Sequence, residues 1–294
     1  MKNGNYLNDS SSNGKNMILR ASRWVDSLWE TAVPRWLDRE GQDRSYRKHA
    51  IHPVIHSFLT DYIRNNPIHL LEVGCGDGGI LEDRFEREFI MHVGRYLGID
   101  KQPALIEQAR ECYSCVAVDF IIGDISSHET AHQLEKRNIR WNCAISVLTF
   151  QEIPDIASTM DNLSAILEKG SLALFIMVHP SFGEWLRSSG HLPVLQELTN
   201  TSSQWRWVGN YPIVDEPLEA FYLPYFHREI EDYRNILSQA GFTTREIIEF
   251  PDATHDLPSL VDCNVSPFYP FESNLYWPYI VEKPTSVAII AEKE

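Results

Sequence analysis

The chain has 294 residues, is 43% hydrophobic and carries a formal charge of −15. That length buries one large core, and so acidic a balance excludes binding that rests on Lys and Arg neutralising a phosphate backbone. No apolar run reaches the ~20 residues that span a bilayer, and the start lacks the basic and apolar stretches of a secretion signal, so a cytoplasmic protein is expected.

Residues 1–20, rich in Asn, Ser and Gly at their start, read as a disordered tail. Residues 21–66 read as a helical cover, with Trp24, Leu28 and Trp29 and then Ile51, Ile55, Phe58 and Leu59 as apolar positions. Arg35, Arg39, Arg44, Arg47 and Lys48 make a modest basic cluster, read as a solvated helix face.

The most informative stretch comes next. Leu70-Leu71-Glu72-Val73 is an apolar run closing on an acid, and Gly74-Cys75-Gly76-Asp77-Gly78-Gly79 is a glycine-rich turn. Such a turn at the end of a first strand lets a ligand approach the backbone closely. It fits two templates. Gly74, Gly76 and Gly79 match the G-x-G-x-x-G of dinucleotide sites, a weak signal by itself. Glu72, Gly74, Gly76 and Gly78 match an acid-x-G-x-G-x-G turn. Asp77 separates the two, because a carboxylate there repels a pyrophosphate by roughly 1 to 4 kcal/mol at about 4 Å, depending on the dielectric. A cofactor without phosphate that brings an ammonium, a carboxylate and a sulfonium has cations compatible with an acid beside the turn.

Two more strands end in acids. Tyr96 to Ile99 closes on Asp100, 28 residues after Glu72, where a carboxylate accepts hydrogen bonds from ribose hydroxyls. Lys101 follows, and Pro103 opens a helix. Val118 to Gly123 ends at Asp124, whose side chain, with the Ile125 backbone, is a candidate to meet an adenine amino edge; an N-cap or turn role fits Asp124 equally well.

The order Glu72…Gly-x-Gly-x-Gly, Asp100, Gly123-Asp124 and then Ser146-Val147-Leu148 resembles the class I S-adenosyl-L-methionine (SAM) methyltransferases, the small-molecule branch more than the nucleic-acid branch. The resemblance runs from about Tyr46 to Glu294 and is looser between Pro180 and Leu223. It implies an α/β, doubly wound, Rossmann-like, seven-stranded and mostly parallel sheet in strand order 3-2-1-4-5-7-6, with strand seven antiparallel. It also implies that Gly74, Cys75, Gly76 and Asp77 line the methionine half of SAM and that Asp100 holds the ribose, with Lys101 beside it. Asp124 and Ile125 would hold the adenine, Ser146 and Val147 would lie beside the sulfonium, and Tyr46 would reach the cofactor from the helical cover. Two details depart from the family: Asn142 stands where strand four often begins with Asp, and Lys169-Gly170-Ser171 replaces a Pro-Gly-Gly.

The remaining chain fits that architecture. Ile156, Met160, Leu163, Ile166 and Leu167 recur at helical spacing, with Lys169-Gly170 as the stop. Leu172 to Val178 is unbroken apolar sequence, as in a strand buried on both faces. Ile230 to Ala240 reads as a helix, and Thr244 to Phe250 and Ser286 to Ala291 as the last strands. The catalytic domain is therefore 67–294, with an insertion at 180–226 too long for an ordinary connection. That insertion is aromatic, and Trp205, Trp207, Tyr211 and Tyr222 are candidates to wall an acceptor; packing onto the core explains them equally well. A second aromatic stretch spans Pro267 to Tyr279.

Methyl transfer asks little of side chains beyond alignment and exclusion of water. Where the acceptor must lose a proton, His179, His227 and Glu152 are candidate bases, each with capping or a structural hydrogen bond as its plainer reading. Cys112-x-x-Cys115 lacks a second pair, so no metal is expected. The expected activity is SAM-dependent methylation of a small organic, aromatic or natural-product-like acceptor by a monomer or homodimer, without nucleic acid or membrane. An NAD-linked oxidoreductase and a non-catalytic SAM-binding partner protein are the alternatives.

Overall fold

The computed structural model of the protein describes residues 14–37, 47–63, 68–82, 94–113, 115–190, 192, 194–197, 205–213, 221–250 and 284–294. Its strands are β1 (Ile68–Val73), β2 (Gly94–Asp100), β3 (Val118–Ile122), β4 (Trp141–Val147), β5 (Leu167–Val178), β6 (Val194–Glu197), β7 (Trp207–Ile213), β8 (Phe221–His227), β9 (Phe242–Phe250) and β10 (Ser286–Lys293). Its α-helices are α1 (Gly14–Leu37), α2 (His52–Ile63), α3 (Pro103–Tyr113), α4 (His128–Glu135), α5 (Ile156–Ile166), α6 (Pro180–Ser188) and α7 (Ile230–Gln239).

Seven strands form the main sheet in the order β3-β2-β1-β4-β5-β10-β9. The pairs from β3 through β5 are parallel, and β10 runs antiparallel to both β5 and β9. Counted without β6, β7 and β8, this is the expected 3-2-1-4-5-7-6. Alternate residues of each central strand feed two cores. Leu70, Cys143, Ile145, Leu174 and Ile176 pack with Ile55, Leu59 and Ile106 of α2 and α3. Leu71, Ala144, Phe175 and Met177 pack on the opposite face with Leu134, Leu163 and Leu237 of α4, α5 and α7. Both faces are covered, which is why these strands read as continuous apolar runs rather than alternating ones.

Two boundaries differ from expectation. Helix α5 stops at Ile166, and β5 already begins at Leu167, which pairs with Trp141 across a register shift; Gly170 then takes φ +81 within the strand instead of ending the helix. Helix α1 starts at Gly14, inside the stretch whose composition suggests a tail. Packing overrides composition there: Met17 and Ile18 lie against a buried cluster of Trp205, Val208 and Phe226.

The insertion is a small domain-like layer of its own. Helix α6 leads into an antiparallel sheet in the order β6-β7-β8. Phe182, Leu186, Trp207, Leu223 and Tyr225 join it to Val178 at the end of β5 and to Ala32 of α1. Phe226 sits edge-on to both Trp24 of α1 and Trp205, at centroid distances of 5.8 and 4.9 Å. One ring thus fastens α1 to the insertion. Phe226→Ala should cost about 3–5 kcal/mol, read as a lowered urea midpoint, and should expose α1 to limited proteolysis before the rest of the chain.

Candidate active site

The glycine turn follows β1 directly. Gly74, Gly76 and Gly78 take φ values of +69, +55 and +84, the left-handed region that glycine enters without penalty. At Gly74 the missing side chain also makes room: a Cβ there would lie 2.2 Å from Thr149 Oγ1. That hydroxyl is within 3.3 Å of the Gly74 carbonyl and donates to the Val147 carbonyl at 3.1 Å, tying the end of β4 to the turn after β1. At Gly76 a Cβ would meet nothing within 4 Å, so the turn is open on that side.

Asp100 fixes the turn from the end of β2. Its two carboxylate oxygens accept the Gly76 and Gln102 backbone N–H groups, each at 2.9 Å. Burial raises its carboxyl above the ordinary value, against those two hydrogen bonds. Next to it, Lys101 Nζ lies 2.7 Å from Asp26 of α1 and 3.1 Å from Asp124. Asp124 also accepts the Ser126 N–H and hydroxyl. Burial opposes its ionisation, but Lys101 and Ser126 outweigh burial and hold the carboxyl below the usual range. The Ile125 carbonyl accepts from Asn162 at 2.7 Å, which sets the turn after β3 on helix α5.

Glu72 lies at the end of β1 beneath the turn and is buried. The Tyr96 hydroxyl donates to its Oε2. Burial pushes its pKa up to about 8, helped by Asp100 and Asp77 and resisted by Tyr96 and Arg47. Cys75 is buried at the same place, and burial raises its thiol well above its ordinary value. Ser146 reaches the end of β4 as expected, but its hydroxyl donates to the Val73 carbonyl at 3.0 Å, so it joins two strands. Val147 follows it in β4 and is buried. Leu148, a bulky residue, then takes φ +52 while its N–H bonds Ile176. A branched side chain in that region costs about 1–3 kcal/mol and marks the strand end as a constrained position.

Helix α1 crosses this end of the sheet. Asp26 pairs with Lys101, and one turn on, Trp29 Nε1 donates to Glu152 Oε2 at 2.8 Å. Glu152 belongs to the short helical turn Phe150–Glu152 after β4. Buried Arg228 braces that turn, donating to the carbonyls of Phe150 at 3.1 Å and Ile153 at 2.7 Å.

A sequence family described as a methyltransferase domain matches residues 44–247. The chain belongs to that family. Its strand order and glycine turn make it a class I SAM-dependent methyltransferase, with SAM as methyl donor. No curated protein matches the chain in sequence. Several solved structures share the fold at low identity. Magnesium protoporphyrin IX methyltransferase from Synechocystis, solved with S-adenosylhomocysteine bound, is 12% identical over 93% of this chain and 99% of its own, with a TM-score of 0.55. A SAM-dependent methyltransferase from Clostridium acetobutylicum is 10% identical over 90% of this chain and 98% of its own, with a TM-score of 0.54. Geranyl diphosphate C-methyltransferase from Streptomyces coelicolor is 13% identical over 82% of this chain and 76% of its own, with a TM-score of 0.53.

In the methyltransferase, Glu72, Gly74, Cys75, Gly76, Asp77, Asp100, Lys101, Asp124, Ile125, Ser146 and Val147 all fall on the strand ends and turns at one edge of the sheet. Tyr46 and the aromatic stretch 267–279 lie outside the described residues. His179 caps helix α6: its Nδ1 accepts the Ser181 N–H at 3.1 Å, and its Nε2 is 3.0 Å from Glu249. His227 stacks on Trp207 at 4.6 Å and 5°, with Nε2 3.1 Å from Glu229. Burial lowers its pKa despite Glu229, so the ring is neutral at pH 7. Both rings therefore carry the structural bonds of their plainer reading. Trp205 and Trp207 are 2% and 5% exposed and pack the insertion together, Tyr211 lies on β7, and Tyr222 is exposed.

The sequence reading passes over Arg228 and takes Arg47 for part of a solvated helix face. Arg47 stands in the turn Arg47–Ile51 against the glycine loop rather than on a solvated helix face. Neither arginine sits in a spacing that announces a contact so distant along the chain.

Glu72 gives the site a pH signature. Its folded pKa, about 8, lies above the unfolded value of 4.5. The stability linked to its proton is therefore complete below pH 4.5 and lost as pH rises through 8. Thermal unfolding should shift to lower temperature between pH 5 and 8.5, and Glu72→Gln, which keeps the Tyr96 partner, should flatten that slope.

Proposed function

We propose that this SAM-dependent methyltransferase acts on a small organic acceptor, of the size and apolar character of an aromatic or natural-product-like compound. The observation that carries this reading is the roof. Helix α1 is fixed across the cofactor edge by Asp26–Lys101 and Trp29–Glu152, and the aromatic insertion is packed against the same helix. An acceptor reaching the methyl group has to fit beneath a helix, which suits a compact molecule better than a polymer. The charge of −15 points the same way, since a polyanion would be repelled. Two solved structures of like fold are named for small acceptors, magnesium protoporphyrin IX and geranyl diphosphate.

SAM would lie along the glycine turn. Each carboxylate oxygen of Asp100 has a second acceptor site beyond its backbone bond, enough for the two ribose hydroxyls. The adenine would stand by Asp124 and Ile125, and the methionine end would run over Gly74 to Asp77. SAM supplies an electrophilic methyl group, and the chain aligns the acceptor with it and excludes water. Where the acceptor must lose a proton, Glu152 is the best placed of the candidate bases. It follows β4 three residues after Thr149, which touches the glycine turn, whereas His179 and His227 are held within the insertion and its junction.

Asp100→Ala should weaken S-adenosylhomocysteine binding at least tenfold by titration calorimetry, since charge-assisted hydrogen bonds contribute roughly 1.5–3 kcal/mol. Unchanged affinity would refute the ribose assignment. A tritiated methyl-transfer screen against small aromatic and terpenoid metabolites, beside peptides and RNA, tests the acceptor class. Transfer confined to the polymers would overturn it.

A further inference from the structure

Taking the acceptor to be a small organic molecule, as proposed above, we infer that it is a hydroxylated aromatic compound seated against Trp29, and that the indole N–H of the same residue positions Glu152 as its base. Trp29 lies on helix α1, outside the motifs that announce the cofactor.

The aromatic side chains around the insertion divide into two kinds. Trp205, Trp207, Phe182 and Tyr225 are at most 5% exposed and serve as packing. Trp29, Trp36 and Trp185 lie against the same buried cluster as Trp207 and Tyr225 but are only partly buried. Three large rings left partly open on one cluster make the kind of apolar wall that a flat ligand covers. Helix periodicity builds one side of it. Trp29, Ala32 and Trp36 share a stripe of α1. Seven residues rise about 10 Å along a helix, yet the Trp29 and Trp36 ring centroids are 5.6 Å apart at 66°. The two rings therefore lean toward each other, and the small, buried Ala32 does not hold them apart. On the other side stands Trp185 of α6, its ring parallel to that of buried Phe182 at 5.8 Å and 11°.

Leu148 joins this wall to the reacting end of the sheet. It follows Val147 at the end of β4 and packs both on the insertion cluster and on the core shared with α2 and α3. Thr149, the next residue, reaches the Gly74 carbonyl of the glycine turn. Three residues further on, Glu152 Oε2 accepts the Trp29 indole N–H at 2.8 Å. Tryptophan has a single donor, and committing it to Oε2 fixes the rotation of the carboxylate beside the ring. A phenolic hydroxyl, with a pKa of roughly 10, is within reach of a carboxylate base, whereas an aliphatic hydroxyl is about as weak an acid as water, at about 15.7. The acceptor's proton goes to Glu152, its oxygen bonds the methyl carbon, and the electron pair of the broken carbon–sulfur bond stays on sulfur. The aromatic wall and the base thus meet at one residue, Trp29.

The test compares 2-naphthol with decahydro-2-naphthol, which shares its hydroxyl and two-ring outline but is saturated. Binding to the full chain saturated with S-adenosylhomocysteine is read by titration calorimetry, transfer with tritiated SAM, and folding of each variant by circular dichroism. The wild type should bind 2-naphthol at least tenfold more tightly than the saturated probe and should methylate it. Trp29→Ala should lose at least tenfold in 2-naphthol affinity. Trp29→Phe, which keeps a ring and lacks the N–H, should bind 2-naphthol within threefold of the wild type while kcat falls at least tenfold. Affinity and kcat that fall together in Trp29→Phe, or that both stay unchanged, would make Trp29 a structural residue and overturn the proposal. If Trp29→Ala does not fold, that split in Trp29→Phe decides alone. A wild type that binds both probes equally, or neither, overturns the aromatic acceptor and leaves a small acceptor standing. Methylation of peptides or RNA alone would refute the small-acceptor reading itself.

Discussion

The Asp100 carboxylate receives the Gly76 N–H on one oxygen and the Gln102 N–H on the other, and the geometry of the cofactor edge depends on that pair of bonds. One bond sets the glycine turn against the end of β2. The other starts the chain toward helix α3. Taking this carboxylate out of water is costly, as its raised pKa shows, and the two backbone donors offset part of that cost. Both oxygens are thus oriented by the chain's own backbone.

Charge is distributed unevenly around this centre. Glu72 under the turn is kept largely protonated by burial, while Asp124 beyond β3 is kept ionised by Lys101 and Ser126. Two carboxyls a few residues from equivalent strand ends therefore have opposite tendencies, set by solvent access and by the nearest cation rather than by residue type. The arrangement keeps an ion pair, Asp124 with Lys101, at the turn after β3 and a protonated carboxyl, Glu72, beneath the turn after β1.

The sequence made the sheet legible because its signals are local. Glu72, Asp100 and Asp124 each end an apolar run, and left-handed turns at Gly74 and Gly76 need glycine wherever they occur. What escaped was built from contacts between distant segments. Trp29 and Glu152 are 123 residues apart and Arg228 reaches back 78 residues to Phe150, and no periodicity reports such pairs. The insertion's aromatics were visible as composition, but only the fold shows Trp207 stacked on His227 and Trp205 sealed against Phe226. Likewise Met17 and Ile18 look like the end of a polar tail until the cluster that receives them is assembled.

Helix α1 meets Lys101 at the end of β2 through Asp26 and the aromatic layer through Trp24, two residues apart on the same helix. The turn after β2 and the small antiparallel sheet belong to separate sheets, yet less than one turn of helix ties them together, so a shift of the aromatic layer is felt at the Lys101 ion pair without passing through the main sheet.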